Sequence, residues 1–315
     1  MITISKYHDI INRLNFNRSI KKSLWIFGLD MILLICAFFL LLKTNGLILY
    51  CISQLLFSIV FLHSFIILHE CGHNTLSKKN YLNIVIGHIS SIFCFMPFYP
   101  WKYIHDEHHK WTGHLDKDPV FVLLKQAKAK KKLPLVLRLG WRTLLPIGVF
   151  FLHLVYWSYP IKLILLKKMN PKILTRCLFS CTFLFLAYYI INKIYPEVFS
   201  FKILPAIILY AILWETLSTP QHLGMPSTTH KPSLKDHAYT TRTTRFPYFL
   251  ERYLFLNFGF HIEHHFFPTL PWHELNEAHK LLKPLLGTAY NEVIGGVWNI
   301  KMRSQNMEKV LGIHD

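Results

Sequence analysis

The sequence predicts an all-α polytopic membrane protein with about four transmembrane helices in two hairpins, further interfacial helices and a cytoplasmic cap that carries clustered histidines. Two observations lead to this fold class. Of the 315 residues, 52% are hydrophobic and 15% are aromatic, a composition that favours a membrane protein over a soluble one. Several apolar runs also approach the roughly 20 residues that a helix needs to cross a hydrocarbon core of about 30 Å.

Two apolar runs near the N-terminus predict the first hairpin. Residues 24–42 and 47–68 are each long enough to span a membrane, and only residues 43–46 separate them. Asp30 lies in the first run. Because a carboxylate is costly in lipid, we expect it near an interface or facing the interior of the helix bundle.

Two further runs, residues 174–191 and 199–213, flank a turn-like stretch and predict the second hairpin. Segments 81–100 and 133–159 are also apolar, but prolines and charged or histidine residues interrupt them. We therefore expect both segments to form helices that lie in the membrane interface or dip into it.

Lysine and arginine residues are frequent in the N-terminal segment, in the middle section and after residue 219, whereas the predicted hairpin tips carry little charge. The positive-inside rule places both termini and the middle section on the cytoplasmic side. We expect an integral multi-pass protein with its active site on that face. Attraction to anionic lipid headgroups explains the formal net charge of +18, so no nucleic-acid partner is expected.

We expect a single membrane domain over residues 1–315. The first 22 residues are polar and basic, which predicts no cleaved signal peptide, and the six cysteines show no disulfide framework. The predicted sections are a cytoplasmic N-terminal segment (1–23), the first hairpin (24–68), a cytoplasmic and interfacial section (69–172), the second hairpin (173–219) and a cytoplasmic section (220–315).

Three short motifs concentrate histidines after predicted spans, on the side assigned to the cytoplasm. HECGH begins at residue 69, HDEHH at residue 105 and HIEHH at residue 261. Helix positions i and i+4, or i, i+3 and i+4, share one face, so each motif directs its imidazoles to one side. The eight histidines are His69, His73, His105, His108, His109, His261, His264 and His265.

Eight imidazoles on one side of the membrane predict a metal centre. Neutral imidazole binds iron, zinc, copper and nickel, and eight ligands exceed what one tetrahedral or octahedral ion accepts, so two metal ions are expected. Isolated histidines are expected to be satisfied core residues or surface groups. His114, His230 and His237 are left outside the ligand set, because of their spacing or their position in a polar loop.

The three motifs resemble the histidine boxes of the integral-membrane fatty acid desaturases and hydroxylases. DP after the second box, and QHLGMP and TTRTT before the third, also match, and the resemblance covers roughly residues 25–290. It implies two non-haem iron ions at the cytoplasmic face and O2 as co-substrate. It also implies a ninth ligand outside the boxes, which His222 in QHLG matches best, and no catalytic residue beyond the metal ligands.

Polar residues next to the ligands are candidates for supporting the site. Glu70, Glu107 and Glu263 recur inside the boxes, where each either accepts a hydrogen bond from a ligand's second ring nitrogen or pairs with Lys or Arg at the interface. Asn257, four residues before the third box, is a further candidate to support it, directly or through water.

Two aspartates and two arginines pose similar choices. Asp116 and Asp118 follow the second box, and the DP match favours Asp118 as the partner of a ligand. Arg242 and Arg245 in TTRTTR are expected either to bind an acidic headgroup or carrier phosphate, or to anchor the cytoplasmic side.

The favoured function is desaturation, in which a di-iron centre takes hydrogen from two adjacent methylene groups of a fatty acyl chain. The alternative is a hydroxylase or ketolase of the same superfamily acting on an alkane, carotenoid or acyl chain, because the abstraction step is shared. A membrane haem or transport protein is disfavoured, since the histidine clusters lie at span ends.

The expected partners are a fatty acyl substrate, linked to a lipid, to CoA or to a carrier, and the lipid bilayer. No HPGG haem-binding signature is present, so electrons are expected from an external ferredoxin or cytochrome b5, which the basic face suits. Three residues separate the histidines of the first box, which favours relatives that act on lipid-linked chains. His261, where many front-end desaturases have Gln, weighs against that subgroup.

Overall fold

The structure is a computed structural model, and helices dominate it. It describes residues 4–43, 46–119, 121, 125, 127, 129–131, 134–143, 145–166, 170–196, 202–304 and 306–311. The chain forms two compact units. Unit 1 comprises Met1–Asn17, Ile104–Val149 and Trp214–Asp315, and unit 2 comprises Arg18–Tyr103 and Phe150–Leu213.

The described residues form fourteen α-helices, two short strands and several tighter turns of helix. The α-helices are α1 (Ile4–Arg13), α2 (Ile20–Lys43), α3 (Leu47–Gly72), α4 (Asn80–Cys94), α5 (Phe98–Trp111), α6 (Leu135–Thr143), α7 (Ile147–Leu165), α8 (Pro171–Ile194), α9 (Leu204–Ser218), α10 (Leu234–Thr240), α11 (His261–Phe266), α12 (Leu275–Leu286), α13 (Gly296–Arg303) and α14 (Met307–Val310). The strands are β1 (Thr243–Arg245) and β2 (Glu292–Ile294).

Among the described residues, four helices are long and apolar enough to cross a membrane, namely α2, α3, α7 and α8. The prediction of an all-α polytopic membrane protein is therefore confirmed. Helices α2, α3 and α8 contain the predicted runs 24–42, 47–68 and 174–191.

The fourth long helix differs from the prediction. Segment 133–159, expected at the interface, contains α6 and most of α7, and α7 is long enough to span the membrane. Pro134 and Pro146 lie just before the two helices, where a missing N–H interrupts no helical bond. The run 199–213 contributes to α9, whose 15 residues fall short of the roughly 20 needed, and residues 199–201 lie outside the described residues.

Helices α4 and α5 are bent by 100° at a short break, so they form either one broken span or a re-entrant element. Phe95, which ends α4, has a left-handed backbone with φ of 61°. Side chains from other helices donate to the carbonyls exposed by the break, as any backbone group at membrane depth requires. The bonds are Tyr188 to Ile92 (2.9 Å), His153 and Tyr210 to Cys94 (3.2 and 3.3 Å) and Trp157 to Phe95 (2.9 Å).

Helices α2 and α3 are joined by a buried polar contact. Asp30 Oδ1 lies 2.7 Å from Nδ1 of His63, and the two residues are 1% and 3% exposed. Asp30 therefore faces the interior of the bundle, which is one of the two positions expected for it.

The core of unit 1 surrounds α11. Phe260, Ile262 and Phe266 pack in one buried cluster with Ile10 of α1 and with Leu14, which directly follows that helix. Strand β1 pairs in parallel with β2, and the main chain of Ile262 donates to Oγ1 of Thr243 at 3.2 Å. The bond from Ile262 to Thr243 therefore places β1 against α11, the helix that carries the third histidine box.

Candidate metal centre

Four histidines from three parts of unit 1 converge, and we call them cluster A: His108, His222, His261 and His265. His108 lies on α5, His261 and His265 lie on α11, and His222 follows a short 3-10 helix at Thr219–Gln221. One nitrogen from each lies within 4.8 Å of the others. The i, i+4 spacing on α11 directs two of these imidazoles to the same side, as the sequence predicts.

The nitrogens that meet in cluster A are the Nε2 atoms. The Nε2 atom of His222 lies 3.1 Å from that of His108 and 2.8 Å from that of His261. A further 2.9 Å separates Nε2 of His261 from Nε2 of His265. Metal–nitrogen bonds of about 2.1 Å place neighbouring donor atoms about 3 Å apart, so these separations suit ligands of one ion.

The Nδ1 atoms of three of these rings have partners that accept a hydrogen bond. Nδ1 of His108 donates to Asp118 at 2.9 Å, and Nδ1 of His222 donates to the carbonyl of Thr240 at 3.3 Å. Thr112 donates its own hydroxyl to the carbonyl of His108 at 2.8 Å and accepts from Nδ1 of His265 at 3.2 Å.

Because these partners hold the ring proton on Nδ1, the Nε2 atom of each of the three rings carries an unshared lone pair. Two lone pairs that face each other at 3.1 Å, as in His108 and His222, repel, and a shared cation removes the repulsion. The donor set of cluster A therefore fits a first-row divalent metal ion.

Cluster B in the same unit comprises His105, His109 and His264. Nε2 of His109 lies 3.1 Å from that of His105 and 2.9 Å from that of His264. The rings of His109 and His265 stack with centroids 4.3 Å apart, so clusters A and B are in contact.

The first box belongs to unit 2. His69 lies in the last turn of α3 and His73 ends that helix, with their ring centroids 4.7 Å apart. The ring of His69 also contacts Trp101 at 5.7 Å. The structure therefore brings the two histidines of this box together, as the i, i+4 spacing predicts.

The carboxylates near the second box differ in their surroundings. Asp118 is fully buried, and it accepts from His108 and, at 2.8 Å, from the main chain of Gly113. Asp118 thus contacts a predicted ligand. Asp116 and Glu107 are exposed and pair with Lys125 and Lys110, as interfacial carboxylates do.

The other supporting candidates differ in whether they contact a predicted ligand. Glu263 is fully buried and accepts hydrogen bonds from Thr243, His279 and Tyr290, none of which is a predicted ligand. Glu70 accepts from the hydroxyl of Thr75 at 2.6 Å, and its Oε1 atom lies 3.7 Å from Nδ1 of His69. The amide of Asn257, whose φ is 59°, donates to the carbonyl of Trp272 at 3.1 Å.

The two arginines of TTRTTR have internal partners. Arg242 donates to the carbonyls of Pro220 and Leu223 at 3.2 and 3.3 Å, on either side of His222. Arg245 donates to Glu251 at 2.7 Å and to Nε2 of His279 at 2.8 Å. The structure gives both guanidinium groups protein partners in place of the headgroup or phosphate considered from the sequence.

Burial keeps several imidazoles of the site neutral. It lowers the pKa of His222 to about 3, with His108 adding to the effect, and it holds the pKa of His265 well below its usual range. The same cause lowers the pKa of His237, whose ring lies 5.5 Å from that of His265, to about 4. Neutral imidazole is the form that binds metal ions.

Sequence reasoning missed several residues that contact the site or its support. Thr112 and His237 lie beside cluster A, and His279 and Tyr290 contact Glu263. His279 was among the isolated histidines expected to be satisfied core residues or surface groups. The i+4 spacing of Thr112 from His108 is the one local signal that places such a residue near the second box.

Comparison with known proteins supports the motif analysis. A family model described as fatty acid desaturase matches residues 45–295. An acyl-lipid omega-3 desaturase (cytochrome b5), endoplasmic reticulum, of Arabidopsis thaliana is 25% identical over 240 residues, which cover 72% of this chain and 62% of the relative. This chain therefore matches less than two thirds of that relative's length.

Two cyanobacterial relatives match over more of their length. An sn-1 acyl-lipid omega-3 desaturase (ferredoxin) of Nostoc sp. (strain 36) is 23% identical over 305 residues, covering 90% of this chain and 81% of the relative. A protein of the same description from Synechocystis sp. is 25% identical over 329 residues, covering 96% of this chain and 86% of the relative.

Proposed function

Because the chain belongs to the fatty acid desaturase family, we propose that it is a membrane-bound di-iron desaturase, which uses O2 and two electrons to place a double bond in a fatty acyl chain. The observation that carries this proposal is cluster A. Its four Nε2 atoms face one another while three of the Nδ1 atoms have protein partners.

We assign nine histidines to the two iron ions, namely the eight box histidines and His222. Contacts within unit 1 support seven of them, the four of cluster A and the three of cluster B. His69 and His73 are assigned because their motif matches the first box of the family.

When bound, the two iron ions supply the activation of O2 that removal of hydrogen from unactivated methylene groups requires. The chain's own residues prepare the site. Asp118 and Thr112 hold the rings of His108 and His265 with Nε2 directed inward. His261 and His265 are only 4% and 3% exposed, so bulk water is excluded from their side of the site.

The substrate class we propose is a lipid-linked acyl chain. The relatives from Arabidopsis, Nostoc and Synechocystis are all described as acyl-lipid desaturases. An apolar cavity of about 270 Å³ in unit 2, with Phe57, Phe61 and Tyr188 among its lining residues, provides a hydrocarbon environment that suits such a substrate.

We propose an external electron donor of the ferredoxin or cytochrome b5 type, since the relatives' descriptions name both. The site is assigned to the cytoplasmic face on the distribution of lysine and arginine. A basic face there favours association with an acidic donor protein.

The test is the fatty acid profile of a host membrane that expresses this chain together with a ferredoxin and its reductase, measured by gas chromatography and mass spectrometry. His108→Ala and His264→Ala each remove one predicted ligand. His230→Ala is the matched control, because His230 is exposed and contacts Asp236 at 3.3 Å.

We expect a new unsaturated fatty acid with the intact chain and with the His230 variant, and none with the two ligand variants. A hydroxylated product would assign the chain to the hydroxylase alternative. An unchanged profile from an expressed, iron-loaded chain, with either donor type supplied, would overturn the proposal.

A further inference from the structure

The helix that carries the third box is too short to define its own orientation. Helix α11 has six residues, and Phe260, which precedes it, makes no side-chain capping bond. Isolated helices of this length are unstable, so tertiary contacts must hold α11 in place. His261, His264 and His265 all depend on that placement.

One residue of α11 receives three of these contacts. Glu263 accepts a hydrogen bond from the hydroxyl of Tyr290 at 2.6 Å, from Nδ1 of His279 at 2.8 Å and from the hydroxyl of Thr243 at 2.8 Å. Its side chain is 0% exposed. Burial, followed by the charge of Glu263, raises the pKa of Tyr290, so the phenol remains a donor.

The direction of the His279 contact is set by a hydrogen bond from Arg245. Arg245 donates to Nε2 of His279 at 2.8 Å, which leaves the ring proton on Nδ1 for Glu263. Arg245 in turn pairs with Glu251 at 2.7 Å. Glu251, Arg245, His279 and Glu263 therefore contact one another in sequence and end on α11. All four side chains are buried or half-buried, and the carboxylates of Glu251 and Glu263 lie on either side of Arg245 and His279.

The strand next to α11 strengthens the same attachment. Thr243 accepts from the main chain of Ile262 while it donates to Glu263. The main chain of Thr244 donates to the carbonyl of Gly259 at 2.8 Å, and a side chain at Gly259 would clash with the Thr244 carbonyl. Glu263 is thus the side chain on α11 where the contacts from β1, α12 and Tyr290 meet.

The corresponding residue of the second box provides a contrast. Glu107 precedes the paired histidines of HDEHH as Glu263 precedes those of HIEHH, but Glu107 is half exposed and pairs with Lys110 at 3.2 Å. Equal positions in the two motifs therefore have different surroundings. Only Glu263 has the buried donors that could orient a helix.

We propose that Glu263 is a positioning residue, which holds α11 in the orientation that directs His261, His264 and His265 to the metal ions. It acts through the ligands and contacts neither substrate nor metal. The proposal rests on the proposed function only in taking these histidines as metal ligands.

The chemistry of the site requires an acceptor with two oxygens. Glutamine keeps one oxygen for Tyr290 and His279, but its amide faces Thr243, whose hydroxyl then has to turn away. Alanine removes the acceptor of the Tyr290 and Thr243 hydroxyls and leaves Nδ1 of His279 only the Tyr290 oxygen, at 2.9 Å, so the attachment of the side chain is lost. The expected order of effect is therefore Glu263→Ala greater than Glu263→Gln.

The test uses the full chain purified in detergent, with Co²⁺ titrated into metal-depleted protein and its visible absorption recorded as a report on ligand geometry. The variants are Glu263→Ala, Glu263→Gln and Tyr290→Phe. Glu107→Gln is the matched control, since it changes the same residue type at the equivalent position. Thermal unfolding of each metal-free variant is measured in parallel.

We expect Co²⁺ affinity to fall about 10- to 100-fold in Glu263→Ala, as for the loss of other groups that orient ligands. The absorption spectrum is expected to change in Glu263→Gln and, less, in Tyr290→Phe, at an unfolding temperature close to that of the original chain. Glu107→Gln is expected to match the original chain in every readout. If Glu263→Ala does not fold, Tyr290→Phe tests the proposal instead. This variant removes only the hydroxyl that donates to Glu263 and is therefore expected to fold.

An unaltered affinity and spectrum in the folded Glu263 variants, or in Tyr290→Phe where those do not fold, would overturn the proposal, as would an equal loss in Glu107→Gln. Because no acyl product is measured, the result is independent of desaturation. If the original chain makes no unsaturated product but its Glu263 variants bind Co²⁺ more weakly, the proposed reaction is refuted. The positioning role of Glu263 is then still supported.

Discussion

Asp118 and His108 form a buried pair in which the carboxylate accepts from Nδ1 of the imidazole at 2.9 Å. The second oxygen of Asp118 accepts from the main chain of Gly113 at 2.8 Å. Both oxygens are therefore occupied by donors, and the ring of His108 is held with Nε2 toward His222. Substitution of Asp118 therefore tests directly whether the orientation of His108 matters for metal binding by cluster A.

Asp118→Asn is expected to lower metal affinity and desaturation by about tenfold or more. Asparagine has one acceptor for the two donors, so its amide group must face either His108 or Gly113, donor against donor. Asp116→Asn is the control, since Asp116 is exposed and pairs with Lys125. Metal content by mass spectrometry and product yield are the measurements, and equal losses in both variants would contradict the assignment.

Thr112→Val tests the partner of His265. Valine keeps the volume of the side chain but removes the hydroxyl that accepts from Nδ1 of His265. Removal of the acceptor of a buried donor costs about 1–3 kcal/mol, so we expect Co²⁺ affinity to fall by a factor between about 5 and 160. Thr143→Val, which removes an exposed hydroxyl bonded to its own helix, is expected to leave the affinity unchanged.

Arg242 is expected to position His222. Its guanidinium bridges the carbonyls of Pro220 and Leu223, and its main chain donates to Gln221 at 2.8 Å. Both bonds come from Nη1, and Arg242→Lys keeps the charge but places a tetrahedral ammonium on a shorter side chain, which does not reach the position of Nη1.

We therefore expect Arg242→Lys to lose metal affinity and product together while the fatty acyl KM stays unchanged. Arg303→Lys, at an exposed position in α13, is the control. Normal metal content in Arg242→Lys would show that the loop holds His222 without this side chain.

The Asp30 and His63 pair predicts a non-additive effect on stability. Replacing either residue by leucine removes the 2.7 Å contact while one polar group stays buried between apolar helices, at a cost of about 1–3 kcal/mol. Replacing both removes both polar groups, so the double variant is expected to be more stable than at least one of the single variants. Thermal unfolding in detergent measures this, and additive losses would contradict the pairing.

The sequence was sufficient for the fold class, the family and the i, i+4 pairing within a box, whereas the division of the second and third boxes between clusters A and B came from the structure. Apolar runs report membrane helices because lipid offers no partner for a backbone group outside a helix. Histidines at i and i+4 share a helical face wherever that helix lies, so the pairing of His69 with His73 and of His261 with His265 followed from spacing alone.

The fourth long helix, α7, was not predicted as a span from the pattern of apolar runs. Segment 133–159 looked interrupted because its prolines and arginines were counted within one helix. The structure divides it into α6 and α7, and Pro134 and Pro146 precede the two helices. Proline is compatible with the start of a helix but disrupts a helix interior, and the sequence alone did not show which of these positions Pro134 and Pro146 occupy.

The sequence by itself determined which box histidines share a helical face, because spacing along a helix is a local property. Only the tertiary structure decided which neighbours support them. Asp116 and Asp118 are two residues apart, yet one pairs with a surface lysine and the other with His108. Glu107 and Glu263 occupy the same position in their motifs, yet only Glu263 is buried among donors. Burial and hydrogen-bond partners come from distant segments such as β1 and α12, so no local pattern encodes them.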